Sequence, residues 1–295
     1  MDWDNVRIFL AVAREGQLLS ASRRLGLNHA TLGRRINALE EQLRTRLLIR
    51  KPSGCDLTAE GHAFYATAER METEMLAAQA RAGKVDAPIE GIVRIGAPDG
   101  FGVSFLAPRL GPLMRRHPNL RIQLVPVPRS FSLSSREADI AITVEQPSQG
   151  RLICARLTDY TLGLYASEDY LKRHDAPRDV EDLRHHARIG YVEDLIFSPS
   201  LNFTGEIMRN WDASFEISSA IGQTEAVRSG AGIGILHDYI ASQVPELRRI
   251  LPAISIRRAY WTNYHESLRD MARIRTVVSF LQEIVGQNRA RFVPE

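Results

Sequence analysis

The chain has 295 residues, 44% hydrophobic and 25% charged, with 38 Lys and Arg against 35 Asp and Glu for a net charge of +3. That mixture excludes a disordered chain, and the length suits two or three domains. No run approaches the ~18 apolar residues of a membrane helix, and Met1-Asp2-Trp3-Asp4 lacks the basic-then-apolar pattern of a secretion signal, so a cytoplasmic protein without membrane contact is expected. Cys55 and Cys154 fit a reducing compartment and have no metal-site spacing, so no metal is expected.

Residues 4–15 are expected to be helical, with Asp4 as N-cap, Val6, Phe9, Leu10 and Ala13 at helical spacing, and Gly16 as the stop. A short helix over Leu18 to Leu25 ends at Gly26, and Asn28 caps a third helix running to about Leu43. Leu32, Ile36, Leu39 and Leu43 make the buried stripe of this third helix, leaving His29, Ala30, Gly33, Arg34 and Asn37 outward. Two helices joined by Leu25-Gly26-Leu27-Asn28 match a helix-turn-helix, whose second helix can lie in a major groove. Two extended runs around Pro52-Ser53-Gly54 then read as a β-wing with basic residues near its tip.

Charge is concentrated in the same region. Residues 1–60 hold ten bases and seven acids, and the rest of the chain is balanced. Within 23–51 there are eight bases and two acids. Such a block is the footprint of a nucleic-acid reader or, equally, a solvated basic face. If DNA is the partner, Arg34 is the first candidate for a base contact, since guanidinium can donate two bonds to guanine. His29 and Ala30 are candidates for base edges, while Arg23, Arg24, Arg35, Arg50 and Lys51 suit phosphates. Asn28, Thr31, Gly33, Asn37 and Ser53 complete the candidate surface.

Thr58 is expected to cap a helix reaching about Gly83, with Phe64, Ala68, Met71 and Met75 in a seam at coiled-coil spacing. With no local core in view for that seam, another subunit is the expected partner, with packing on its own chain the alternative. Residues 84–90 read as a linker. Strands and helices then alternate: strand 92–97, turn 98–102, helix 103–116, strands 120–127 and 139–144. A second set begins near Thr161 and includes 188–192, a helix from about Gln223 to Ser229, the strand 232–236 and a final helix 271–285. Alternation of this kind implies α/β sheets. No hydrolase, zinc-protease, nucleotide-loop or dithiol motif is present, and Gly230-Ala231-Gly232-Ile233-Gly234 lacks the dinucleotide spacing. An enzyme therefore has no positive feature, and no cofactor is expected.

These residues carry a resemblance over nearly the whole chain. Ala11-Val12-Ala13, Ala21 with Arg23-Arg24-Leu25-Gly26, Arg34-Arg35-Ile36 and Leu57-Thr58-Ala59-Glu60-Gly61 resemble the winged helix-turn-helix of LysR-type transcriptional regulators. Gly91 to Gly96, His117-Pro118, Asp139 to Ile142, Tyr170-Leu171 and Ala231 to Gly234 agree with the rest of that family. Leu19, His29, Ala30, Gly33, Arg44 and His237 depart from its usual residues.

The resemblance implies an α/β fold in three parts: a winged helix-turn-helix at 1–60, a dimerisation helix and hinge at 58–90, and an effector-binding module at 91–295. That module would be periplasmic-binding-protein-like, with one subdomain at 91–161 plus 266–295 and a second at 162–265. The chain would cross between them near 159–162 and 264–268. The implied function is a bacterial DNA-binding regulator, a homodimer or homotetramer on promoter DNA, responding to a small-molecule effector, with RNA polymerase a further candidate partner. Cleft candidates are Pro98, Asp99, Gly100, Phe101, Arg129, Ser130, Phe131, Tyr191, Phe197, Phe203, and Gln223 and Thr224 at the opening of a helix. A transporter's solute-binding protein shares the implied sensing fold but would need an export signal and no helix-turn-helix.

Overall fold

A computed structural model describes residues 2–51, 54–82, 89–127, 138–147, 151–196 and 198–294. Chain contacts divide it into two units, Met1–Val85 and Asp86–Glu295. Ser53, Arg129, Ser130, Phe131, Phe197 and most of the expected linker lie outside the described residues.

The first unit is built from α1 (Trp3–Glu15), α2 (Leu18–Leu25), α3 (His29–Leu43), the hairpin of β1 (Leu48–Lys51) and β2 (Gly54–Leu57), and α4 (Ala59–Ala82). Asp2, not Asp4, caps α1, accepting from Asp4 N at 3.0 Å, because the helix opens one residue earlier than periodicity suggests. Gly16 and Gly26 end α1 and α2 at φ +65°, a left-handed conformation that suits glycine. Asn28 caps α3 through Ala30 N at 2.9 Å. Arg44 takes the left-handed position after α3 at φ 51°, at a cost of about 1–2 kcal/mol for a residue with a Cβ. Val6, Phe9, Leu10, Ala21, Leu32, Ile36 and Leu39 form the core.

The start of α4 corrects the expectation that its seam has no local core. Phe64 packs on Phe9 with ring centroids 5.3 Å apart, and Ala68 is fully buried in the same cluster. Met71 is part-buried and Met75 is exposed. The first turns of α4 therefore belong to the head, because α1 offers an aromatic face at their level. Glu40, buried near the end of α3, accepts from Leu47 N at 2.8 Å and Leu48 N at 3.1 Å and so pins the wing to α3.

The second unit runs β3 (Gly91–Ala97), α5 (Asp99–Phe101), α6 (Gly111–Arg116), β4 (Leu120–Pro126), β5 (Ile140–Thr143), β6 (Leu152–Ser167), α7 (Glu168–Arg173), β7 (Arg188–Gly190), α8 (Thr204–Ile207), β8 (Phe215–Glu216), α9 (Ala220–Arg228), β9 (Ile233–His237), α10 (Asp238–Ala241), β10 (Leu247–Ile250), β11 (Ile256–His265), α11 (Ala272–Gln287) and α12 (Arg289–Phe292). Its strands form one sheet in the order β4-β3-β5-β11-β6-β9-β7-β8, with β10 also on β6.

The expected helix 103–116 and turn 98–102 are corrected. Helical structure begins at Asp99, widens to a π-turn over Gly102–Leu106, tightens over Ala107–Arg109 and resumes as α6. Pro108 and Pro112 lack amide donors, so a continuous α-helix cannot keep its bonding pattern there. The long antiparallel strands β6 and β11 join the two ends of the sheet. β11 pairs with β5 from Trp261 to Tyr264, so the chain is already beside the β3–β5 end of the sheet before the expected return at 264–268.

Candidate nucleic-acid interface and ligand cleft

In the first unit α3 presents its polar face beside the wing. His29, Ala30, Arg34 and Asn37 are exposed, while Thr31 and Gly33 are part-exposed. With Leu18, Ala38, Glu41 and Arg50 this face forms a shallow concavity of about 550 Å³. A Cβ at Gly33 would meet nothing within 4 Å, so the missing side chain leaves open space on this face. Arg50 of β1 donates to Asn37 Oδ1 at 2.7 Å, which ties β1 to α3. Leu18, Ala38 and Glu41 were not among the expected residues; Ala38 and Glu41 follow Arg34 by one and two helical turns and were legible from periodicity, whereas Leu18 of α2 reaches the concavity only through tertiary packing.

The basic side chains fall into two groups. Arg24 pairs with Glu15 at 2.7 Å, Arg35 with Asp2 at 2.8 Å, and Lys51 with Asp56 at 2.5 Å. Such surface pairs are worth about 0–1 kcal/mol, so phosphates can displace them. Arg23 and Arg34 are exposed and make no side-chain hydrogen bond or ion pair among the described residues. Cys55, in β2, has its thiol pKa pushed up by burial, only partly offset by Arg50. This is not the setting of an activated thiolate.

In the second unit Pro98, Asp99, Gly100, Tyr191, Phe203 and Gln223 line one small cavity of about 40 Å³. Val144, Leu201, Ala220, His237 and Tyr260 complete its wall. A larger open depression of about 870 Å³ adjoins it, sharing Tyr191, Leu201, Phe203 and Gln223 and extending to Arg209, Trp211 and Glu216.

Two expected cleft residues are elsewhere. Phe101 is fully buried among Phe105, Tyr260 and Phe292, with centroids at 5.2, 4.7 and 5.9 Å. The turn that carries Asp99 points the Phe101 ring into the core. Thr224 is buried, with its hydroxyl on Ala220 O at 2.9 Å. Nor do Gln223 and Thr224 open their helix: α9 starts at Ala220, with Ser219 as the cap. Gln223 instead spans Gly190 O and Ile217 O at 3.3 and 3.1 Å.

Aromatic rings floor the cavity. Tyr160 stacks on Tyr260 at 4.2 Å and on His237 at 5.3 Å, and the Tyr239 and Tyr260 hydroxyls lie 3.0 Å apart. Burial raises the pKa of all three tyrosines. His237 is part-buried and lines the cavity, and its desolvation pushes its pKa down to about 4, against the Asp99 and Asp238 charges. The unfolded imidazole titrates near 6.5. Its contribution to stability is therefore complete above about pH 6.5 and is lost as pH falls toward 4, by roughly 2–3 kcal/mol. His237→Phe, which keeps the stack without the charge, is expected to lose less stability than the parent between pH 7 and 4.5 in urea titrations. Equal losses would contradict the assignment.

Among the described residues no group of three or more His, Cys, Asp or Glu could hold a metal ion, and no helix is long and apolar enough to cross a membrane.

Comparison with known proteins adds to this geometry. Residues 3–62 match the family model described as bacterial regulatory helix-turn-helix protein, lysR family, and residues 86–285 match that of the LysR substrate binding domain. The HTH-type transcriptional regulator CrgA of Neisseria meningitidis serogroup C (strain 8013) is 26% identical, with 97% of each chain covered. The HTH-type transcriptional activator TtdR of Escherichia coli (strain K12) is 26% identical over 94% of this chain and 91% of that protein. Among solved structures, a full-length point variant of OxyR from Pseudomonas aeruginosa shares the fold with a TM-score of 0.71 at 19% identity, covering 97% of both chains. The structure of CrgA from Neisseria meningitidis matches with a TM-score of 0.59 at 24% identity, over 97% of this chain and 99% of that one.

Proposed function

The chain belongs to the LysR family of DNA-binding transcriptional regulators, which are not enzymes, and on that premise we propose how its parts work. The α3 face enters the major groove of promoter DNA, Arg34 reads base edges, and Arg50 with the wing follows the adjacent backbone. Arg23, Arg24, Arg35 and Lys51 neutralise phosphates. Chains pair along the part of α4 beyond the head, where Met75 is exposed, giving a homodimer or homotetramer that spans two half-sites. The effector module has the two subdomains implied by the resemblance, with the return adjusted to lie within β11. A small molecule in the cavity at Asp99 and Tyr191 shifts the population of module conformations and so the spacing of the paired heads. The regulator acts in the cytoplasm, where its promoter lies, and RNA polymerase is its candidate third partner.

The observation that carries the DNA reading is Arg34, exposed and unpaired among the described residues, in the concavity between α3 and the wing. A bidentate arginine–guanine contact is worth about 1–3 kcal/mol of discrimination. Arg34→Ala is expected to weaken binding to the preferred promoter fragment by about 5- to 150-fold, from that energy range, while leaving binding to scrambled DNA nearly unchanged. Fluorescence anisotropy with the two duplexes measures this. An equal loss on both would make Arg34 a phosphate contact.

A further inference from the structure

The N-terminus of α9 is where an anionic ligand would be held by amide donors and the helix dipole. In this chain a carboxylate already stands there. Asp99, just after β3, accepts from Ser219 Oγ at 2.5 Å and from Ile221 N at 3.4 Å through the same oxygen, Oδ2. Ser219 in turn caps the helix by accepting from Gly222 N at 3.0 Å. The contact joins residues 120 apart in sequence. It also joins two ends of the sheet, since Asp99 follows β3 while α9 packs on β9 and β7.

Two further observations agree. A Cβ on Gly100 would come within 3.1 Å of Ala220 Cβ, so the absent side chain lets α5 close on α9. Glu145, beyond β5, repeats the pattern: it accepts from Ser200 N at 3.0 Å and Ser200 Oγ at 2.7 Å, bonds that with Ser198's hold its pKa below the usual range. Two acidic side chains from the β3–β5 end thus grip hydroxyl and amide donors of the far wall. Between them the cavity is only about 40 Å³, walled by Pro98, Val144, Leu201 and Phe203.

We infer that Asp99 is the specificity residue of this cleft: its carboxylate takes the anion position on α9 and latches the cleft, so the effector of this chain is a small molecule without a carboxylate. The inference rests on the cleft being the effector site. A ligand carboxylate would have to displace a tethered one already bonded to Ser219, and would face its charge at close range. An uncharged ligand meets neither obstacle.

The test uses the full chain, with sodium acetate and acetamide as probes against sodium chloride at matched ionic strength. The parent is expected to melt at the same temperature in acetate and chloride. Asp99→Ala is expected to melt about 3–6 °C lower and to recover saturably in acetate but not in acetamide, as free carboxylate refills the vacated position. Asp99→Asn, which keeps the shape and one acceptor, is expected to lose less and to ignore acetate. Saturable stabilisation of the parent by acetate, abolished by Ser219→Ala, would overturn the inference. So would an Asp99→Ala chain that neither melts lower nor responds to acetate. Acetate rescue of Asp99→Ala without any change in its DNA affinity would uphold the latch and remove the cleft's role as effector site.

Discussion

Arg14→Ala is expected to destabilise the N-terminal unit by about 3–5 kcal/mol, the range for removing one partner of a buried ion pair. The Arg14 side chain is only 5% exposed, and its guanidinium meets Glu72 at 2.7 Å and Glu69 at 3.3 Å. Burial opposes its charge, but the Glu72 carboxylate and the Tyr65 hydroxyl together outweigh burial and raise its pKa. The guanidinium also lies 6.0 Å from the Tyr65 ring centroid. All three partners are on α4, so one side chain of α1 bolts the long helix to the head. Truncation removes the guanidinium that meets the buried Glu72 carboxylate at 2.7 Å. Urea unfolding followed by circular dichroism measures the loss. Arg14→Met combined with Glu72→Leu is expected to recover most of it, since an apolar pair avoids the desolvation penalty. A loss below about 1 kcal/mol, the size of a surface pair, would show that solvent screens this one.

Asp238→Ala is expected to cost the effector-binding unit a similar loss of about 3–5 kcal/mol. Asp238 has no exposed surface, and it accepts from Thr161 Oγ1 at 2.5 Å, Tyr165 hydroxyl at 2.7 Å and Arg249 at 3.3 Å. These donors come from β6 and β10, so the carboxylate at the start of α10 joins two strands and a helix. Burial, then the bond to Asp238, raises the Tyr165 pKa. Alanine would take the carboxylate acceptor from the Tyr165 hydroxyl and leave Thr161 only Phe292 O at 3.4 Å and Arg249 only Ile254 O at 3.2 Å. Asp238→Asn should cost less, because it keeps an acceptor while losing the charge that faces Arg249. Thermal unfolding of both variants checks the order; an alanine variant as stable as the parent would refute the role given to this carboxylate.

How much of this was legible in the sequence depends on how local each signal is. Gly16, Gly26 and Asn28 mark α1, α2 and α3 because caps act within a few residues. β6 was only partly visible: its buried run from about Thr161 was read, whereas Leu152 to Leu157 are part-buried or exposed without alternation and give no strand signal. β11 was missed because a register shift at Tyr260 and Trp261 breaks its period. Gly222 disguised the first turn of α9. The outward face of α3 followed from its own periodicity and was read directly. The cleft did not, because His237, Tyr260, Val144 and Leu201 meet only through the sheet. The expectation for Phe101 failed for the same reason: a helical turn where an open turn was expected rotates the ring into the core.

If the α3 face reads promoter DNA, binding of the full chain to labelled upstream DNA across a salt series will show it. The native fragment is expected to bind more tightly than a scrambled one, with affinity that falls linearly in logarithmic salt, and Arg34→Ala is expected to lose the preference. Binding that is absent, insensitive to salt or equal on both duplexes would contradict that role for α3.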